Sequence, residues 1–202
     1  RVGTDGELLL VLESADPQPV ELSVEELPVS VVHLGPGGTL VLAGSDALRM
    51  DVLERPFRVS AASFFQINTA QAEAMVRHVQ QIIGSAPLNT VLDIYSGVGL
   101  FSAFLAPQVK RLVGIEVSPS ACEDFETNLD EFDNVELFEA DAEIVLGSVK
   151  FQPDLILVDP PRNGLGQIVL DGLLAQCTPR LIYISCDPAT LARDARRLVA
   201  GG

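Results

Sequence analysis

The chain has 202 residues, 48% of them hydrophobic, with 28 acidic against 13 basic side chains and a formal net charge of -15 at pH 7. That length and composition suit one domain with an appendage; no apolar run is long enough to span a bilayer, and no basic-then-apolar secretory pattern opens the N-terminus. Cys122, Cys177 and Cys186 are too scattered for a disulfide framework and fit no zinc spacing, so no metal site is expected and a reduced, cytoplasmic compartment is the simplest reading.

In chain order, residues 1–60 read as β-rich. Short apolar runs at Glu7–Leu12, Val29–Leu34, Thr39–Ala43 and Met50–Leu53 are separated by turn-formers such as Asp16-Pro17 and Gly35-Pro36-Gly37-Gly38. Strands this short with no helix among them predict a small sheet, the remnant of a larger central domain. His33 lies within this region, and neither it nor His78 has metal-like company, so both are read as structural.

The second unit, 61–202, follows, and the period changes from Asn68. Asn68 with Gln71 predicts a helix N-cap; Ala72, Met75, Val76, Val79, Ile82 and Ile83 then share one helical face, and Gly84 closes it. Beyond it the chain alternates. Thr90–Tyr95, Leu112–Val117, Val135–Glu139, Asp154–Val158 and Leu181–Ser185 read as buried strands. Helices are predicted at Pro119–Leu129, Gln167–Ala175 and Pro188–Val199, and the link after the third strand reads as short and irregular. This alternation predicts a parallel sheet covered on both faces, a doubly wound α/β domain. Ligands of such sheets bind beyond the carboxyl ends of the strands, at the switch point.

The first strand ends in Asp93-Ile-Tyr-Ser-Gly97-Val-Gly99, where the two glycines let the backbone turn tightly and approach a ligand. Glu116, about twenty residues beyond at the next strand end, is placed to accept hydrogen bonds from the hydroxyls of an adenosine ribose. The spacing serves NAD or S-adenosylmethionine. Position 102 is Ser where the dinucleotide fingerprint has a third glycine, and Asp93 suits a cationic amino-acid end while repelling a pyrophosphate. Both details favour the methyl donor, with Asp141 as a further acid at a strand end.

The fourth strand ends in Asp159-Pro-Pro-Arg162-Asn-Gly164, a rigid extended turn with an arginine able to donate to a carbonyl oxygen or a phosphate. The fifth leads to Ser185-Cys186-Asp187-Pro188. Cys186 is predicted at the sheet's carboxyl edge beside a helix N-terminus, where the dipole favours a thiolate. Cys122, in a helix, and Cys177, just beyond one, are read as ordinary packing.

Four segments, Ser63-Phe-Phe-Gln66-Ile-Asn68, Asp93-Ile-Tyr-Ser-Gly97-Val-Gly99, Asp159-Pro-Pro-Arg162-Asn-Gly164 and Ser185-Cys186-Asp187-Pro188-Ala-Thr190-Leu-Ala-Arg193-Asp194, together resemble the motifs of the tRNA and rRNA uracil-5-methyltransferases. The resemblance covers roughly residues 55 to 200. It implies a Rossmann-like class I methyltransferase fold, S-adenosylmethionine as cofactor and RNA as substrate. It also implies that Gln66 lies by the methyl donor and the base, that Tyr95, Gly97, Glu116 and Asp141 line the cofactor pocket with Asp93, Gly99 and Asp159 beside them, that Asp159 and Arg162 hold the uracil, and that Cys186 attacks its C6.

Three departures qualify the pattern. Position 96 is Ser where the family usually has Cys, and position 187 is Asp where Asn is common, which puts a negative charge beside the thiol. The family's last strands, its C-terminal glutamate base and its N-terminal RNA-binding domain are not recognisable, so a catalytic domain incomplete at its C-terminus and a fifth strand left as a sheet edge are expected. The acidic balance repels RNA at long range; Arg193, Arg196 and Arg197, joined by Arg162, are the local basic candidates. Competing readings are an S-adenosylmethionine-binding module without catalysis and a nicotinamide-dependent oxidoreductase, which leaves Cys186 unexplained.

Overall fold

The computed structural model describes residues 1–16, 28–85 and 87–201. Pro17 of the expected Asp16-Pro17 turn lies outside the described residues. In the N-terminal part, β1 (Leu8–Glu13), β2 (Val29–Gly35) and β3 (Gly38–Ala43) form a three-stranded sheet in that order, β1 parallel and β3 antiparallel to β2. Leu9 and Val32 from its inner face pack with Leu48 and Ala61 in a small apolar cluster. His33, the next residue on β2, is buried as well.

A hairpin follows, β4 (Ala47–Val52) and β5 (Arg55–Ser60). The sequence gives no clear sign of β5, for two reasons. Pro56 sits inside it, and the turn residues Leu53 and Glu54, at φ 52° and 65°, occupy positive-φ positions that Asn-Gly usually takes in a two-residue hairpin turn. Leu53, expected to end a strand, therefore forms the turn. The inward residues Met50, Val52, Phe57 and Val59 join the same core as the first helix and the parallel sheet.

That helix, α1 (Thr69–Ile83), starts as predicted: Asn68 Oδ1 accepts from the Gln71 amide at 3.1 Å, and Gly84 closes it at φ 66°. Ala72, Val76, Val79 and Ile83, spaced four, three and four apart, form the buried stripe. Ile82, expected on that face, is 51% exposed; it lies at the stripe's shoulder, one residue before the contact row.

The second sheet has the order β10-β9-β6-β7-β8, all neighbours parallel: β6 (Leu88–Ile94), β7 (Val109–Glu116), β8 (Val135–Glu139), β9 (Leu155–Val158) and β10 (Leu181–Tyr183). Side chains alternate between its faces. On β9, Leu155 and Leu157 enter one core cluster, while Ile156 and Val158 enter the other. Both clusters are apolar because helices cover both faces, which is why these strands read as unbroken hydrophobic runs. β10 lies at one end of the strand order among the described residues.

The connecting helices are α2 (Leu100–Leu105), extended by a short 3-10 turn, α3 (Pro119–Asn128), α4 (Ala142–Leu146), α5 (Gln167–Ala175) and α6 (Pro188–Gly201). The link after the third strand is thus helical where an irregular segment was expected. α4 has five residues, too few to show a helical period. Cys122 is buried on α3, whereas Cys177, expected to pack, is exposed just after α5 at φ 48°. The chain runs β6, β7, β8 in one direction and then returns to β9 and β10 on the other side of β6. The switch point therefore lies between β6 and β9, and the loops beyond their carboxyl ends frame a crevice.

Candidate active site

The loop after β6 turns through three consecutive odd positions with positive φ: Tyr95 at 62°, Gly97 at 55° and Gly99 at 89°. The two glycines serve different ends. A Cβ on Gly99 would stand 2.3 Å from Leu129 Cδ1 and 3.0 Å from Phe125 Cδ2, so this glycine lets α2 start tight against α3. A Cβ on Gly97 would meet nothing within 4 Å; its backbone faces open space.

Glu116, at the end of β7, organises this loop. One carboxylate oxygen accepts from the Gly97 amide at 2.9 Å, and the other from the amides of Val117 and Ser118 at 2.9 Å each. A carboxylate has about four lone-pair sites, so acceptor capacity remains after these bonds. Asp93, by contrast, is buried beneath the loop. Its Oδ2 accepts from Ser102 Oγ at 2.6 Å, while Oδ1 has no hydrogen-bond partner among the described residues. Ser102, which replaces the third glycine of a dinucleotide loop, thus satisfies half of a buried acid. Burial pushes the Asp93 carboxyl up to about 7, with Asp159 and Glu116 adding repulsion against the Ser102 bond.

An open cleft of about 270 Å³ beside this loop is lined by Tyr95, Glu116, Asp141, Glu143, Pro161 and Asn163, among others. Burial, then Glu143, Asp141 and Glu116, push the Tyr95 phenol up to about 12. Three of the residues singled out in the sequence, Tyr95, Glu116 and Asp141, therefore meet in one wall. Glu143 was not singled out; it enters through the first turn of α4, a helix too short to be read from periodicity.

Gln66, Arg162 and Cys186 lie outside that wall. Asp159, half-buried just past β9, is pushed up to about 6 by burial, and Arg162 is exposed three residues on. Cys186 is exposed three residues past the end of β10. The turn that carries it is fixed by its neighbours. Ser185 Oγ accepts from the Asp187 amide at 3.1 Å, and Asp187 Oδ1 caps α6 by accepting from Ala189 and Thr190 at 2.8 and 3.0 Å. Those Thr190 and Ala189 amides hold the Asp187 carboxyl below its usual range. Asp at position 187 thus does the capping work that Asn does equally well.

The Gln66 segment is anchored from below. Asp124, fully buried on α3, accepts from Ser63 Oγ at 2.6 Å, from the Ser60 amide and hydroxyl at 2.7 Å each, and from Arg58. Asn128, one turn on, bonds the backbone of Arg58 and the Val98 carbonyl. Gln66 is half-buried between Phe65, which is in the core, and Ile67, which is 88% exposed; Phe64 is 75% exposed. One basic candidate is not free. Arg193 donates to Asp194 and to the Asn163 carbonyl, whereas Arg196 and Arg197 are exposed on α6.

A parallel sheet of this order, with a glycine loop after β6 and an acidic residue at the end of the neighbouring β7, is a Rossmann-like nucleotide-binding fold. The crystal structure of the Pyrococcus abyssi tRNA (uracil-54, C5)-methyltransferase in complex with S-adenosyl-L-homocysteine superposes with a TM-score of 0.75 at 24% identity, over 98% of this chain and 52% of that one. The family model for tRNA (uracil-5-)-methyltransferases matches residues 21–201. The chain belongs to that family. An uncharacterized RNA methyltransferase of Clostridium tetani is 35% identical over 80% of this chain and 36% of its own length, and one of Listeria innocua is 34% identical over 93% and 42%. The chain therefore spans well under half the length of these curated relatives.

Proposed function

We propose that this chain is the catalytic core of an S-adenosylmethionine-dependent enzyme that forms 5-methyluridine in tRNA or rRNA, with Cys186 as nucleophile. The observation that carries this reading is the placement of an exposed cysteine, beyond β10, on the same sheet edge as the Asp159–Arg162 turn beyond β9 and the glycine loop beyond β6.

The residues around the switch point fit the cofactor. Asp93 Oδ1 is a buried acceptor without a partner among the described residues, and Asp93, Glu116, Asp141 and Asp159 make the region strongly acidic, which favours a cationic ligand over a pyrophosphate. Glu116 retains lone pairs for ribose hydroxyls, Gly97 allows close backbone approach, Tyr95 and Asp141 line the cleft, and Gly99 sets the path of the loop against α3. Gln66, held from below through Ser63 and Asp124, is assigned to the junction between cofactor and base.

The chemistry needs the cysteine because C5 of uracil is a poor nucleophile. The base first leaves its stack. The Cys186 thiolate then adds to C6, a C–S bond forms, and the electron pair of the 5,6 double bond moves onto C5 and O4. Arg162 donates to the charge that develops on O4, and Asp159 holds the ring. Bound S-adenosylmethionine supplies an electrophilic methyl group for the C5 so activated. A base takes the C5 proton, its electron pair restores the double bond, and Sγ leaves as thiolate.

The test is mass spectrometry of the protein at its full natural length, incubated with S-adenosylmethionine and RNA containing 5-fluorouridine. Fluorine at C5 does not depart as a proton does, so turnover stops at a covalent methylated adduct. The adduct is expected in the wild type and absent in Cys186→Ala. No adduct in the wild type, with S-adenosylmethionine still bound, would leave a cofactor-binding module without this catalysis.

A further inference from the structure

α6 has an unusual anchor. Among its described residues the one that is fully buried is not a leucine or valine but Asp194. Each oxygen of this carboxylate is used. Oδ2 accepts from the Leu165 amide and from the Tyr183 hydroxyl, both at 2.8 Å, and Oδ1 accepts from Arg193 Nε at 2.8 Å. Arg193 extends the network, its Nη2 donating to the Asn163 carbonyl at 2.9 Å.

The partners come from two loops that are otherwise separate. Asn163 and Leu165 follow directly on Arg162, in the turn that leaves β9. Tyr183 is the last residue of β10, three before Cys186. We infer that Asp194, with Tyr183 and Arg193, is a positioning device that fixes the Asp159–Arg162 turn relative to the Cys186 turn, and so sets where the base sits with respect to the thiol. The inference rests on the functional reading above.

Three physical points support it. The fit leaves no slack: at Gly164, with φ at 74°, a Cβ would stand 2.5 Å from Asp194 Oδ2 and 2.6 Å from Arg193 Nη2, so the turn's backbone lies directly against the carboxylate. A buried charge is also a poor way to stabilise a helix, since apolar residues of similar volume often serve stability as well or better. What a carboxylate does provide is several directional bonds from one rigid group. Finally, the protonation states suit a fixed network. Burial, then the Asp194 bond, push the Tyr183 phenol up, which keeps it a donor; burial works to raise Asp194, but the bonds from Arg193, Leu165 and Tyr183 outweigh it and hold the carboxyl low.

A positioning role and a merely structural one differ in which quantity they change. Misplacing a reacting group by about 1 Å costs on the order of a hundred-fold in rate, whereas partial unfolding removes active molecules and leaves the rest at full speed. The experiment is therefore the time course of 5-fluorouridine adduct formation at saturating RNA and S-adenosylmethionine, comparing wild type, Tyr183→Phe and Asp194→Asn at full natural length. Tyr183→Phe deletes one hydroxyl and keeps the ring, so it folds even if the aspartate variant does not. The expected result is complete adduct in Tyr183→Phe formed about ten-fold or more slowly, with S-adenosylmethionine affinity within about two-fold of wild type. A wild-type rate in Tyr183→Phe, or a reduced amount of adduct formed at the wild-type rate, overturns the inference while leaving the functional reading in place. No adduct in the wild type removes that reading, and the inference with it.

Discussion

Asp93 illustrates how one buried acid links stability to ligand binding. Its folded carboxyl keeps its proton up to about 7, against an ordinary value of 3.8. Between those values the unfolded chain has released the proton and the folded chain has not, so the unfolded state binds fewer protons and Asp93's contribution to stability falls as pH rises. Relative to Asp93→Asn, wild type is expected to lose melting temperature from about pH 4 to about pH 7; parallel thermal melts of the two across that range check it, and a constant difference would remove Asp93 as the cause. A cationic ligand reverses the bias by favouring the carboxylate. S-adenosylmethionine affinity, measured by calorimetry, is accordingly expected to rise over about pH 6 to 8 more steeply in wild type than in Asp93→Asn, where Asp159 alone still titrates near the lower end.

Among the elements, the loop between β6 and α2 is tight at one glycine and open at the other. Gly99→Ala places a methyl group against Leu129 and Phe125 at a positive φ, and a cost of about 2 kcal/mol or more is expected in urea unfolding. Gly97→Ala, with open space at its Cβ, is expected to cost only the conformational part, about 1 kcal/mol, but to weaken cofactor binding. The same contrast explains what could be read from the residues beforehand. Long periodic elements, α1 and the buried strands, announce themselves through apolar spacing and punctuation, and so does the loop with its paired glycines. Short elements do not. α2 and α4 hold too few residues for a period, and β5 is masked by Pro56 and by a turn made of Leu53 and Glu54. Glu143 was missed because it rides on one of these short helices. The Asp124 and Asp194 networks were invisible for another reason: their partners lie far apart in the chain, and only tertiary structure joins them.

At the scale of the whole molecule, a net charge of -15 sets the terms for meeting a polyanion. Arg193, which looked from the sequence like part of a basic stripe, is committed to Asp194 and Asn163, so Arg196 and Arg197 are the exposed cations left on α6 for phosphate. Replacing both by alanine at full natural length is expected to lower the slope of log affinity against log salt by about 1 to 2; titrations with RNA at several salt concentrations would read this, and an unchanged slope would take both arginines out of the interface. The buried anchor at Asp124 has a consequence of another kind, in the order of synthesis. The β4–β5 hairpin leaves the ribosome with Ser60 and Ser63 still lacking the carboxylate that will bind them, which lies 64 and 61 residues further along. At about 5–20 residues per second, that partner is made several seconds later. Until then the hairpin is a two-stranded ribbon, marginal by itself in water, and the Ser63–Asn68 segment takes up its site only when α3 arrives to hold it.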